Sequence, residues 1–215
     1  MRKNNFLVLT CSTLLAFCLF SGFLNAQSIR YGVQVATGIS GILEQHTHFP
    51  EYIKVSSRSF SYGVAATAEK TFKNPRFGLL AEPGFSKKGY TLSGFTIPSN
   101  TNVNLYYLHA PLSLYYQPFK NDRLRVGLGG EMGYLLADRL NGEKYFQEDF
   151  HNKFDLAGHI SVQTTLFSKF ALGIKASRSF LPLSSIDYTN DTGERLGTSD
   201  WINYNLHFYA RYYIN

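Results

Sequence analysis

Residues 125–136 read RVGLGGEMGYLL, with glycine at 127, 129, 130 and 133. A phosphate-binding loop would need glycine where Met132 stands, and no strand–helix unit follows. Alternation explains the stretch better. Val126, Leu128, Met132 and Tyr134 share one parity, while Arg125, Gly127, Gly129, Glu131 and Gly133 share the other. A period of two predicts a strand with one apolar face. Its second face is made of small residues interleaved with charges.

The same division recurs at 28–38, 59–72, 76–86, 103–117, 154–166, 170–180 and 201–213, so that eight strands are predicted with 123–136 included. No segment keeps a helical period. The connections after the second, fourth and sixth strands are short, at 73–75, 118–122 and 167–169. Those after the first, third, fifth and seventh are long and polar, at 39–58, 87–102, 137–153 and 181–200. Short turns at one rim and long loops at the other are the habit of outer-membrane barrels, whose tilted strands need about 10 residues to cross. The predicted fold is therefore all-β, an eight-stranded antiparallel up-and-down transmembrane β-barrel. Pro83 and Pro111 fall inside predicted strands, where each removes a ladder donor, so bulges or bends are expected there.

A soluble barrel would alternate too, with its apolar residues inside. Two features point the apolar face toward lipid instead. The polar face is poor in Lys and Glu and rich in Gly, Ala and Ser, which suits the narrow interior of eight strands and not a water-facing surface. Charged residues make up only 17% of the chain, and aromatics reach 16%. The aromatics also gather at the ends of the apolar face. Phe60, Phe85, Tyr106, Tyr134, Phe154 and Phe180 lie at the long-loop ends, and Phe72, Phe77, Tyr116, Phe170 and Tyr212 at the short-turn ends. Two such girdles are expected where lipid tails meet headgroups. The inward charges are then Arg30, Arg125, Lys175 and Arg211 against Glu69, Glu82, Glu131 and Asp155. Because an unpaired buried charge is expensive, they predict a salt-bridged plug rather than a pore.

Residues 1–26 read as a secretory signal peptide: Arg2 and Lys3, an apolar run, then Leu24-Asn25-Ala26 before the cut. Phe17 before Cys18 argues against lipoprotein processing. Residues 27–215 form one domain, the barrel. Cleavage removes both cysteines, Cys11 and Cys18, and lowers the net charge from +6 to +4. That charge gives no indication of nucleic-acid binding.

AEPGFSKKGY at 81–90, YYLHAPLSLYYQP at 106–118 and RVGLGGEMGYLL at 125–136 together resemble the PorT-like outer-membrane β-barrel proteins. The likeness extends over essentially the whole mature chain. It implies a place in the outer membrane of a Gram-negative cell, and a namesake in a secretion system. The chain departs from the usual aromatic final residue of such barrels, since it stops at Tyr213-Ile214-Asn215. Recognition by the assembly machinery is expected to rest on Tyr212 and Ile214.

Few motifs carry chemistry. Glu44, His46 and His48 form an H-x-H loop motif that lacks a third spaced metal ligand, so a solvated loop is favoured. His109, His159 and His207 share inward parity at similar depth; they either hold a metal or hydrogen-bond the charged plug. Asp187, Asn190, Asp191 and Glu194 do not keep EF-hand spacing, and a polar turn is expected. No catalytic elbow or zincin motif occurs, and no catalytic, metal or cofactor residue is assigned. Lys54, Arg58, Lys87, Lys88, Lys144, Lys153 and Arg178 are expected near the outer leaflet, within reach of lipopolysaccharide. The expected partners are outer-membrane lipid, lipopolysaccharide, and outer-membrane or periplasmic proteins. Three functions stay open: a non-enzymatic structural or secretion-associated component, an outer-membrane enzyme, and a loop-borne ligand or metal receptor.

Overall fold

In lipid no backbone donor or acceptor can be left over, so a sheet that crosses a membrane has to close on itself. The computed structural model, which describes residues 29–47, 57–94, 97–119, 123–142, 151–190 and 192–214, closes in this way. Its strands are β1 (Ile29–Thr47), β2 (Ser57–Thr71), β3 (Phe77–Ala81), β4 (Gly84–Gly94), β5 (Ile97–Tyr116), β6 (Leu124–Leu140), β7 (Phe154–Phe167), β8 (Phe170–Ser179), β9 (Ser184–Thr189) and β10 (Arg195–Tyr213). Every pairing is antiparallel, and β1 pairs with both β2 and β10, which joins the ends of the sheet. The pair β3 and β4 forms one stave between β2 and β5, and β8 and β9 lie end to end against β10. The ring therefore has eight staves.

Parity is kept along β6. Leu128 and Met132 are 69% and 64% exposed on the outer face, whereas Arg125 and Glu131 are buried inside. Close approach accounts for two of the inward glycines. A Cβ at Gly127 would meet the Ser161 hydroxyl at 2.5 Å, and one at Gly129 would meet the His159 ring at 2.8 Å and run into the Leu112 carbonyl. The outward Gly130 and the inward Gly133 both have room for a methyl group, with nothing nearer than 3.8 and 3.4 Å.

The two prolines do not produce the expected bulges. Ala68↔Ala81 and Ala65↔Gly84 keep one register across Pro83, as do Ala110↔Met132 and Leu112↔Gly130 across Pro111. Each proline instead makes one bond of a two-bond pair. Ala66 N–H donates to the Pro83 carbonyl at 3.0 Å and Glu82 N–H to the Pro111 carbonyl at 2.9 Å, with no N–H to return. The two missing donors flank residues 82–83, which is why the ladder is interrupted there between β3 and β4. Register shifts occur elsewhere, for example where Tyr106 faces Ala137 but Tyr107 faces Leu135. Most lie toward the rims, where bulges are usual.

The long connections are shorter than the alternation suggests. Strands run on through much of 39–58, 87–102 and 181–200, and β6 continues four residues into 137–153. Pairing needs only backbone groups, so it continues where the outward side chains turn polar and the apolar signal stops. Above the girdle the inside changes as well. Ile42, Tyr90, Val103, Leu105, Tyr107, Leu135, Leu183 and Trp201 form one buried apolar cluster inside the long-loop end. Arg58, Asn102 and Arg139 are exposed around it. The barrel is thus apolar outside in its lower part and apolar inside in its upper part.

Replacing Leu128 with Arg puts a charge against lipid near mid-strand. It is expected to lower the stability of the vesicle-folded barrel by about 2–4 kcal/mol in urea titrations.

Candidate functional site

The lumen of eight staves is only wide enough for side chains, and here it is filled by three charge clusters, two of them linked. At the short-turn end Glu69 accepts from Arg125 Nη1 at 2.8 and 2.7 Å, from the Tyr213 hydroxyl at 2.7 Å and from the Tyr115 hydroxyl at 3.3 Å. At mid-lumen Glu82 accepts from Lys175 and, at 2.8 Å, from Arg211. Arg211 also donates to the side-chain oxygens of Gln34 at 2.6 Å and Gln163 at 2.7 Å. Toward the long-loop end Lys88 donates to Glu131 at 3.0 Å and Asp155 at 3.2 Å, and Asp155 accepts from Ser179 at 2.5 Å. The Tyr213 hydroxyl joins the first two clusters, lying 3.3 Å from both Arg125 and Arg211.

All eight lumen charges expected from the sequence lie in or beside these clusters, with two corrections. Arg30 is peripheral. It stands 4.0 Å from Glu69, stacks 3.9 Å over the Tyr213 ring and keeps 30% of its side chain exposed at the rim. Lys88, expected in a loop near the outer leaflet, is instead 3% exposed inside the barrel. Without it Glu131 and Asp155 would share no cation. A signal for this exists: Lys88 keeps the parity of Glu82, Gly84 and Ser86, but the run KKGY imitates a turn. Its neighbour Lys87 points outward and reaches the Phe60 carbonyl at 3.2 Å.

The histidines are separated by their bonding. His159 Nε2 lies 2.7 Å from the Ser113 hydroxyl, His207 Nε2 lies 2.8 Å from the Ser61 hydroxyl, and His109 Nδ1 lies 3.7 Å from Glu131. Among the described residues no three His, Cys, Asp or Glu side chains converge on a point that a metal could occupy. The His46 side chain and all of His48, Lys54, Lys144 and Asp191 lie outside the described residues, as do residues 1–26, where the signal peptide is expected. In 187–194 the Asn190 side chain accepts from the N–H of Thr192 at 3.1 Å and of Glu194 at 2.8 Å, while Asp187 pairs with Arg195 at 2.7 Å. These oxygens build a turn.

One constellation escapes the sequence reading. At the long-loop mouth Asp138 lies 2.7 Å from His151 Nδ1, and His151 Nε2 lies 3.0 Å from the Tyr90 hydroxyl. Carboxylate, imidazole and hydroxyl in line are the layout of an activated nucleophile. Tyr90, however, is fully buried in the apolar cluster, with Trp201 edge-on at 5.7 Å. The chain of bonds ties the connection before β7 to the cap. Its residues lie on three separate segments, and nothing in their spacing announces it.

Internal space is small. Cavities of about 20 Å³ beside His109 and about 10 Å³ beside Arg125 have room for single waters. The expected girdle aromatics all point outward, and several pair across strands: Phe77 with Tyr116 at 5.0 Å on the short-turn side, Tyr134 with Phe154 at 5.3 Å and Phe85 with Tyr106 at 6.0 Å on the long-loop side.

The profile of a family described as outer membrane protein beta-barrel domain matches residues 25–186. The chain belongs to that family. It is accordingly a β-barrel protein of the Gram-negative outer membrane. Among solved structures, Neisserial surface protein A is 12% identical, with a TM-score of 0.51 over 86% of this chain and 99% of that one, and it agrees on the fold. A major outer membrane protein from Thermus thermophilus is also 12% identical, with a TM-score of 0.49 over 87% and 100%. No curated protein matches in sequence.

Two measurements probe this interior of the family member. Lys88→Met leaves two buried carboxylates without their cation and is expected to cost about 3–5 kcal/mol in urea unfolding, against less than about 1 kcal/mol for the adjacent Lys87→Met. His151 sits in a connection beyond the membrane strands. Burial pushes its imidazole below the ordinary 6.5, against the pull of Asp138. The folded state then binds fewer protons than the unfolded one. The stability that His151 contributes is full above about pH 6.5 and is lost as pH falls through the depressed value. Trp201 is the single tryptophan, so acidification below about pH 6.5 should shift its emission, and His151→Gln should remove that shift.

Proposed function

We propose that this outer-membrane barrel is a non-enzymatic structural or interaction component that works through the surfaces at its rims, in a secretion-associated setting. The filled lumen carries the reading. Glu69, Glu82, Glu131 and Asp155 are each held by a cation, and the apolar cap lies above them. A carboxylate neutralised in this way has no substrate within reach, so an enzyme or metal receptor acting from the lumen has less support. In this reading the eight inward charges are structural. The aromatic girdles anchor the barrel in the bilayer, residues 1–26 are its export signal and residues 27–215 its single domain.

The resemblance to PorT-like barrels supports the secretion-associated setting. The hairpin of β9 and β10 supports contact through the long-loop side, since it extends past the cap with Arg195 paired to Asp187. Outward basic residues there, Arg58, Lys87, Lys153 and Arg178, stand next to the upper girdle. They suit the phosphates of lipopolysaccharide, an anion that lysine and arginine bind through charge-assisted hydrogen bonds.

Pull-down from native outer membranes in mild detergent tests the proposal. A protein partner should co-purify with the full chain and be lost when the β9–β10 hairpin is shortened, while the heat-modifiable mobility of the folded barrel stays unchanged. Turnover of a lipid or peptide that disappears on replacing Glu131 or His109 would overturn it.

A further inference from the structure

The charge that stands out is at the other rim. Among the described residues of the short-turn end, Glu69 is the one carboxylate, and it is 1% exposed and spoken for by Arg125. Lys73, Arg76 and Lys169 are exposed around that rim. Between β6 and the β7–β8 turn the rim opens into a pocket of about 290 Å³. Arg30, Arg123 and Arg125 line it, together with Leu166, Phe167 and the hydroxyl residues Thr165 and Ser168.

The lining has two chemistries, set side by side. Arg125 forms part of the inner wall and is neutralised by Glu69. Arg30 is fixed in place by its bond to the Ser168 carbonyl at 2.9 Å and its stack over Tyr213. Arg123 is exposed, with no ion pair among the described residues. The Thr165 hydroxyl is buried and has no hydrogen-bond partner among the described residues. On the membrane side Leu166 and Phe167 are 49% and 73% exposed, at the level of the lower girdle. A soluble anion would be served by the guanidinium groups alone and would gain nothing from an apolar lip. A ligand with a phosphate at one end and hydrocarbon at the other uses both.

We propose that this pocket binds the headgroup phosphate of an anionic phospholipid from the leaflet that the short turns face. Arg123 and Arg30 take the phosphate oxygens as charge-assisted donors, Thr165 adds a neutral donor, and the acyl chains run out across Leu166 and Phe167. Arg123 is the residue on which selectivity for the anionic lipid rests, because among the described residues no carboxylate neutralises it.

The full mature chain, folded in nanodiscs of phosphatidylcholine with a minor share of phosphatidylglycerol, is released into native mass spectrometry. The barrel should retain phosphatidylglycerol in preference to phosphatidylcholine, and Arg123→Gln should lower that retention about fivefold. This is the factor that about 1 kcal/mol per basic residue at an anionic surface represents. Arg123→Lys should keep most of it, and a photoreactive phosphatidylglycerol should label the peptide containing 165–168. Arg123 is in no buried network, so heat-modifiable mobility should show all variants folded. Equal retention by Arg123→Gln overturns the proposal. So does displacement of the lipid by millimolar inorganic phosphate, which would make the pocket a free-anion site.

Discussion

Glu82 and Arg211 face each other at 2.8 Å in the middle of the lumen, each side chain 1% exposed. Much of the interior follows from making that pairing tolerable. A buried charge pair gives little net stability over an apolar filling, but half of one is very unfavourable. The surrounding groups are therefore those that finish the hydrogen bonding: Lys175 on the carboxylate, Gln34 and Gln163 on the guanidinium, and Tyr213 leading on to Glu69. Room for these long side chains comes from the staves opposite. Glycine at 127 and 129 lets Ser161 and His159 sit where a methyl group would be.

Along the barrel axis the same hydrogen-bonded ladder passes between two solvents. In the lower part lipid is outside and the polar side chains are inside. In the upper part water is outside, and Tyr90, Val103, Leu105 and Trp201 take over the interior. Strand pairing is indifferent to this exchange, because backbone groups bond in the same way in both regions. The girdle, with Tyr134 packed on Phe154 and Phe85 on Tyr106, marks where the exchange happens.

That exchange also decides what can be read from the chain. In 125–136 lipid demands an apolar residue at every outward position, and strand, face and lumen charges are all legible. From Lys87 onward the outward positions face water and no longer need to be apolar. Lys87-Lys88-Gly89 then looks like a turn, although Lys88 continues the inward parity of Glu82. The apolar cap is hidden for the same reason, with Ile42, Tyr90 and Leu183 falling in predicted loops and Val103, Leu105 and Trp201 left without a face. Parity counted from the lumen residues, instead of from the apolar ones, finds them. The Asp138–His151–Tyr90 line stays hidden either way, since only the fold brings those segments together.

Pro83 and Pro111 have an effect beyond their missing bonds. They flank Glu82, the carboxylate that Lys175 and Arg211 hold together, so the stave lacks backbone bonds where its side chains are doubly paired. Lys175 and Arg211, reaching across from the opposite wall, act there as the rivets of a hoop whose own weld has been left open. A barrel built in this way would part first at residues 82–83 if its interior lost its counterions.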